Sequence, residues 1–286
     1  MAWRLAVVHE TVAEYDGTAH ASYNELRMTP LNTGRQMTLT SQVELYPRAA
    51  MWQYTDYWGT RVTAFDLQQP HDLLTIRASS TVETNRATHA SRSAAAPAAM
   101  SWSELAERTT TGDFTEYLAR TDRTTIAGEL EQAVRDRTAG ADPHEAADTI
   151  AALVNDSMAY VPGATGVQTN AQQSWEQKSG VCQDFSHLAI AMMRAIGLPA
   201  RYVSGYLFPD PDAEPGVSAE GQSHAWTEYW AGSWIGVDAT NRTSPGPQHI
   251  VVGHGRDYAD VLPHKGIYHG APGRDLKVSV RFTRLA

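Results

Sequence analysis

The hydrophobic pattern of this chain changes near residue 85, and that change limits the folds it can adopt. Before it, short runs alternate apolar and polar side chains, as in Met37–Leu45, Arg61–Phe65 and Leu73–Ser80. This is the two-residue period of a half-buried strand. The residues Tyr15–Gly17 have the composition of a turn between such strands. After the change, helical spacings appear, so the pattern predicts a β-sandwich or a curved antiparallel sheet at the start of the chain, followed by a region with helices.

The same change predicts how the chain divides. Its length of 286 residues suits about two domains, and the small, mixed residues after the strand region are typical of a linker. We predict an N-terminal β domain at 1–85, a linker at 86–100 and a second domain at 101–286 that includes the C-terminal tail. Helix starts are predicted in that domain at Ser101–Glu104, which has the form of a capping box, and at Asp142, which precedes a proline.

Charge and hydropathy exclude some classes of function. The chain has 23 Lys and Arg against 32 Asp and Glu, a formal net charge of −9, which argues against broad binding of nucleic acid or anionic membranes. It has no 18-residue apolar run and no basic segment followed by an apolar stretch and a cleavage site. We therefore expect a soluble cytoplasmic protein, and the sequence does not define its oligomeric state.

The single cysteine, Cys182, excludes an intramolecular disulfide and any site built from four thiolates. Apolar residues follow it at helical steps, including Phe185, Leu188 and Met192, and Gly197 is a natural helix end. Cys182 is thus predicted in the first turn of a buried helix, where free N–H groups and the helix dipole favour a thiolate. An inert buried thiol at a helix end is the alternative.

A histidine and an aspartate are predicted to share one face of a hairpin. The segment Ser223–Trp230 alternates as a strand, and the three residues after it suit a loop before a return strand that begins at Trp234. If Trp230 faces Trp234, the side chains of His224 and Asp238 lie on the same face of the sheet, diagonal to each other. The alternatives are a structural histidine and an aspartate that only shapes a turn.

The other histidines give no sign of a metal site. His187 lies five positions after Cys182, a helical offset that does not stack the two side chains, and we interpret it as structural. The remaining candidates, His249, His254, His264 and His269, lack the close pairing of metal ligands. We predict no metal and no cofactor.

Several segments together resemble the transglutaminase-like superfamily, and most closely a bacterial group described as cysteine proteases. They contain, in family order, Gly-Val-Cys182-Gln-Asp-Phe, then Ser-His224-Ala-Trp-Thr-Glu, then Val-Asp238-Ala-Thr-Asn. The sequence GRDYADVLPHKGIYHG at 255–270 is similar to the C-terminal signature of that group. SYNELRMTP and DYWGTRVTAFD are similar to its N-terminal β domain, so the resemblance covers nearly the whole chain.

The resemblance implies an α+β protein, with an N-terminal antiparallel β-sandwich-like domain and a papain-like core in which a nucleophile helix packs on an antiparallel sheet. It implies Cys182 as nucleophile, His224 as general base and acid, and Asp238 as the residue that orients His224. The sequence departs from the family at Ala239, where proline is common, and at Ser186, where alanine is common. Neither departure removes a catalytic group.

Four further residues are predicted around the site. Gln183 and Trp226 flank the catalytic residues and are candidates for the wall of the site, with simple packing as the alternative. Asp257 and Tyr258 of the tail are expected to shape the cleft. The expected substrate is a peptide or protein amide, attacked through a thioester acyl-enzyme and released by water. Two alternatives stay open at this point: transamidation to a primary amine, and a non-catalytic scaffold of the same fold.

Overall fold

A computed structural model describes residues 2–84, 100–112 and 114–286. Its strands are β1 (Trp3–Leu26), β2 (Gln36–Tyr46), β3 (Met51–Thr55), β4 (Arg61–Leu67), β5 (His71–Thr84), β6 (Ala159–Tyr160), β7 (Ser179–Gly180), β8 (Ala200–Leu207), β9 (Ser218–Gly221), β10 (Ser223–Trp230), β11 (Trp234–Val237), β12 (His249–Gly255), β13 (His264–Gly270) and β14 (Gly273–Arg284). Its helices are α1 (Trp102–Thr111), α2 (Thr115–Leu118), α3 (Gly128–Arg137), α4 (Pro143–Ser157), α5 (Ala171–Gln177) and α6 (Cys182–Ala195), with 3-10 turns at Asp122–Thr124 and Tyr258–Asp260. The α+β class is confirmed, and none of the helices described here is long and apolar enough to span a bilayer.

The first sheet is a curled antiparallel sheet organised around β1. The turn predicted at Tyr15–Gly17 is wrong, because β1 continues through it without ending. Before this point β1 pairs with β5 and β14, and beyond it with β4 and β13. The register shifts after Glu14 and Gly17 has φ of 141°. A bulge with a glycine bends the strand here, which is how one strand serves both ends of a curled sheet.

The C-terminal tail belongs to this first sheet. Strand β14 pairs with β1 from Leu5 to Tyr15, and β13 pairs with the second half of β1. Our predicted boundaries assigned the tail to the second domain, whereas its alternating side chains complete the sheet of the first. Most of the predicted linker lies outside the described residues, so the boundaries at 85 and 100 stay predictions.

The second sheet and its helices carry the cysteine. The strand order is β11-β10-β8-β12, and α6 packs on β10 and β8 with α4 and α5 against its other sides. The predicted helix starts at Ser101 and Asp142 are present, and each forms a capping box. The predicted register is also confirmed, since Trp230 pairs with Trp234. All residues of α6 after Cys182 are buried, which makes it the central helix of this core.

An apolar layer joins the two sheets. Leu5, Val82 and Phe282 of the first sheet pack against Tyr206 and Ile250 of the second. Within this layer the Nδ1 atom of His9 lies 3.0 Å from the Tyr206 hydroxyl, and both groups are buried. The two sheets therefore share one core at this face and support each other.

The absence of a side chain at Gly205 of β8 allows a close approach within that sheet. A Cβ atom there would lie 2.1 Å from the Ile250 carbonyl oxygen and 2.7 Å from the Trp226 ring. Glycine at this position thus lets Trp226 and β12 pack directly over β8.

We expect Gly205→Ala to lower the free energy of unfolding in urea by about 3 kcal/mol, because backbone and ring must both move. Gly34→Ala is the control, since a Cβ atom there meets nothing within 4 Å, and its effect should stay within about 0.5 kcal/mol. Equal stability of the two variants would contradict the close packing of β8 and β12.

Candidate active site

A tight turn places Cys182 at the start of α6. The Oδ2 atom of Asp184 accepts hydrogen bonds from the Val181 N–H (2.8 Å) and the Thr165 hydroxyl (2.6 Å). A Cβ atom on Gly180 would lie 2.6 Å from Asp184, so glycine is required just before this turn. As the first helical residue, Cys182 lies among N–H groups that have no acceptor within the helix. Its side chain is only partly buried.

Strands β10 and β11 bring His224 and Asp238 together on one face, as predicted. The Nε2 atom of His224 lies 2.7 Å from Oδ2 of Asp238. The backbone N–H groups of Thr240 and Asn241 donate to Oδ1 at 3.0 and 3.1 Å, and the Asn241 side-chain amide donates to Oδ2 at 2.8 Å. Asn155 of α4 donates to the carbonyls of residues 239 and 240 at 2.9 Å, which fixes the loop that carries the carboxylate.

The electrostatics of this group favour a charged histidine. Burial opposes the charge, but hydrogen bonds to Asp238 and Cys182 outweigh it and raise the pKa of His224 to about 9. The same pair holds the pKa of the fully buried Asp238 well below its usual range, because hydrogen bonds from His224 and His249 overcome the effect of burial. At neutral pH the arrangement is therefore a carboxylate beside an imidazolium, with the cysteine side chain within hydrogen-bonding reach.

Tyrosines surround the cysteine side of the site. Tyr202 and Tyr258 pack edge to face with ring centroids 6.3 Å apart, and Tyr160 packs against Phe185 of the first turn of α6 at 6.4 Å. Burial raises the pKa of all three hydroxyls, and negative charge on Cys182 raises it further. These hydroxyls therefore stay protonated at neutral pH, and that of Tyr160 belongs to a half-exposed side chain.

The four predicted flanking residues fall in different places. Trp226 is buried and stacks beside the His224 ring at 6.0 Å. Gln183 is buried in the first turn of α6, next to Cys182. Tyr258 packs against the same apolar core as Cys182, whereas the Asp257 carboxylate caps its own 3-10 turn by accepting from the Ala259 N–H at 2.7 Å. A role for any of them in the reaction stays a prediction.

His249 is the site residue that we did not predict. Its Nε2 atom lies 3.4 Å from Oδ2 of Asp238, although β12 is two strands away from β10 in the sheet. The donor atoms of His224, Asp238 and His249 lie within 4.8 Å of one another, a spacing that a divalent cation could use. Here the same atoms are joined by hydrogen bonds. Single-sequence patterns carry no signal for this contact, because it depends on the pairing of β12 with β8.

Two family models match different parts of the chain. A family model for the transglutaminase-like superfamily matches residues 131–239, and a model for the bacterial transglutaminase-like N-terminal region matches residues 5–83. The crystal structure of a Cytophaga hutchinsonii protein, described as a "putative cysteine protease", matches with a TM-score of 0.77 and 21% identity. The match covers 100% of this chain and 92% of that one, so it shows that the two share a fold.

Curated relatives extend over the same length. An uncharacterized protein of Mycobacterium leprae is 41% identical over 284 residues, which is 99% of this chain and 100% of the relative. An uncharacterized Mycobacterium tuberculosis protein is 32% identical over 97% of this chain and 91% of its own. A protein-glutamine gamma-glutamyltransferase of Pseudomonas aeruginosa is 29% identical over 120 residues, 39% of this chain and 18% of that protein. The chain belongs to the transglutaminase-like superfamily and carries the bacterial transglutaminase-like N-terminal region.

Proposed function

We propose that this protein is a cysteine hydrolase. It cleaves a peptide or protein amide through a thioester at Cys182 and transfers the acyl group to water. The observation that carries the proposal is the His224 imidazole, which lies 2.7 Å from the buried Asp238 carboxylate and whose pKa is raised by hydrogen bonding to Asp238 and to Cys182. A scaffold needs no such group, because burying a charged pair costs free energy that apolar residues would not cost. A nucleophile, a base and an orienting carboxylate form the minimal set for acyl transfer.

The first step is activation of the thiol. The Nε2 atom of His224 faces Asp238, which leaves Nδ1 as the nitrogen that takes the proton of Cys182. The resulting imidazolium is stabilised by the carboxylate, and the thiolate by the imidazolium and by the N-terminus of α6. Asp238 keeps the ring oriented and stays ionised throughout.

The second step forms and resolves the acyl-enzyme. The thiolate attacks the amide carbonyl carbon, and the Cys182 N–H donates to the oxyanion that develops. His224 then protonates the leaving amine as the C–N bond breaks, which leaves a thioester on Cys182 and a neutral imidazole. That imidazole removes a proton from water, whose oxygen attacks the thioester, releases the carboxylic acid and regenerates the thiol.

Transamidation is the second candidate function. It uses the same acyl-enzyme and replaces water with a primary amine. The named activity of the Pseudomonas aeruginosa relative, protein-glutamine gamma-glutamyltransferase, favours this alternative for the shared segment. The hydrogen bonds of the site are the same for both reactions, so the acceptor has to be identified experimentally.

Mass spectrometry of the intact protein provides the first test. We expect incubation with a library of glutamine peptides and peptide amides to leave an acyl adduct on Cys182, because a thioester must precede either product. Added primary amine should appear in the product if transamidation occurs and should be absent from it if water is the acceptor. Cys182→Ala should form no adduct, and a wild-type protein that forms none with any member of the library would contradict the proposal.

Alkylation tests the activation step independently of substrate. We expect iodoacetamide to label Cys182 at pH 6.5 at a rate within about threefold of that at pH 8.5, because the imidazolium stabilises the thiolate. His224→Gln should slow labelling at pH 6.5 by at least about tenfold. His144→Gln is a matched control, since His144 contacts Tyr229 instead of the site. Labelling that rises only near pH 8.5 in the wild type would contradict activation by His224.

The raised pKa of His224 also predicts how stability depends on pH. The folded value of about 9 lies above the unfolded value of 6.5, so the stabilisation is fully present below pH 6.5 and is lost as pH rises through 9. We expect the difference in free energy of unfolding between wild type and His224→Gln to shrink by about 1–3 kcal/mol between pH 6.5 and pH 10. Urea titrations at several pH values measure it, and a constant difference would show that His224 is not charged in the folded state.

A further inference from the structure

We propose that His249 is a positioning residue for the reaction proposed above: its Nε2–H group is a second donor that holds Oδ2 of Asp238 and shares that oxygen with His224. The inference rests on the proposed function for its catalytic meaning and on geometry for the contact itself. Oδ2 of the fully buried carboxylate lies 2.7 Å from Nε2 of His224 and 3.4 Å from Nε2 of His249. Both histidines therefore compete for one charged oxygen.

The backbone fixes which nitrogen of His249 carries the proton. The Gly246 N–H donates to Nδ1 of His249 at 3.0 Å, so Nδ1 is an acceptor without a hydrogen. The hydrogen of the neutral ring is then on Nε2, the nitrogen that faces Asp238. Burial lowers the pKa of His249, so the ring stays neutral while His224 is charged.

Packing holds the ring in this place. Trp226 contacts the His249 ring edge to face, with centroids 5.2 Å apart, and the His224 ring lies 6.0 Å away. Pairing of His249 with Leu207 places the residue at the start of β12. The ring is therefore buried, and both its acceptor nitrogen Nδ1 and its donor nitrogen Nε2 have hydrogen-bond partners. A side chain held in this way can orient a neighbouring group, here the Asp238 carboxylate.

The charges on every side of the ring are accounted for. Asp238, His224 and Cys182 lie on the site side. On its other side the ring faces a cleft of about 280 Å³ between the two sheets. The charged and titratable residues that line this cleft are Arg35, Arg201, Glu228 and His254. Arg201 and Glu228 neutralise each other at 2.5 Å, and burial keeps His254 neutral with a pKa of about 4. Asp238 is thus the one anion whose oxygen His249 is shown to contact among the described residues.

Sharing of the oxygen has a direct consequence for His224. A donor at Oδ2 withdraws negative charge from the bond to His224, so its loss strengthens that bond and makes the imidazolium a weaker acid. A weaker acid protonates the leaving amine more slowly. His249 therefore both restrains the carboxylate and limits how tightly His224 keeps its proton.

NMR of the ring nitrogens tests this without any substrate. We expect the titration midpoint of His224 to move upward by about half a pH unit or more in His249→Leu. It should stay within about 0.2 of wild type in His249→Gln, whose amide offers both an acceptor for Gly246 and a donor for Asp238. His254→Gln is the matched control, because His254 is a partly buried histidine of the same strand that faces Glu228, and its effect on His224 should also be within about 0.2.

Two results of these titrations would overturn the inference. A His224 midpoint that is unchanged in folded His249→Leu, or shifted equally in His249→Gln, would overturn it, because the donor would then have no effect. If His249→Leu does not fold, the wild-type spectrum decides: hydrogen on Nε2 of His249 at pH 7 supports the proposal, and hydrogen on Nδ1 overturns it. Failure of Cys182 to form an acyl adduct would overturn the proposed function alone, since these titrations do not depend on it.

Discussion

The burial of α6 beyond Cys182 is the constraint on which the rest of the structure depends. Burying a polar group costs free energy unless it is hydrogen-bonded, so most polar groups of such a helix have partners. Among the described residues, Oδ1 of Asp184 and Nδ1 of His187 are its exceptions. The guanidinium of Arg194 donates to the carbonyls of Tyr117, Ala119, Ala200 and Arg256 at 2.8–3.3 Å. Nε2 of His187 accepts from the Tyr258 N–H at 3.1 Å. These bonds fix α2, β8 and the turn after β12 to the helix, and Cys182 is left as its one residue that is not buried.

The site follows from two buried charges that are satisfied in opposite ways. Arg194 is held by backbone carbonyls, and burial lowers its pKa only to about 10, so it stays a cation and serves architecture. Asp238 is held by backbone N–H groups, by an amide and by two histidines, so it stays an anion. Only the anion is paired with a histidine whose charge it stabilises, namely His224, whose pKa is raised to about 9. The proposed chemistry is therefore placed at the end of α6 that meets β10.

Local patterns in the sequence predicted the geometry of this site well, and long-range pairing set the limit. The helix at Cys182 and the hairpin that brings His224 and Asp238 to one face depend on spacing within a few residues, and both are confirmed. The tail depends on pairing between residues more than 250 positions apart, as between Leu5 and Arg284, and alternation alone does not name a partner. Asp257 was expected at the cleft as one of the tail residues, and its carboxylate caps its own turn. His249 was missed for the same reason as the tail.

The long-range contacts of β12, which local sequence patterns do not predict, also give the first sheet a structural role in the site. Strand β12 is the edge of the second sheet, so its outer backbone groups need partners. Gln36 of β2 provides them, since its amide accepts from the Val251 N–H at 2.8 Å and donates to the Val251 carbonyl at 2.7 Å. Thr84 of β5 donates to the Pro247 carbonyl at 2.7 Å, just before His249. Because β12 carries His249, and His249 contacts Asp238, these bonds make the first sheet the support of the carboxylate end of the site.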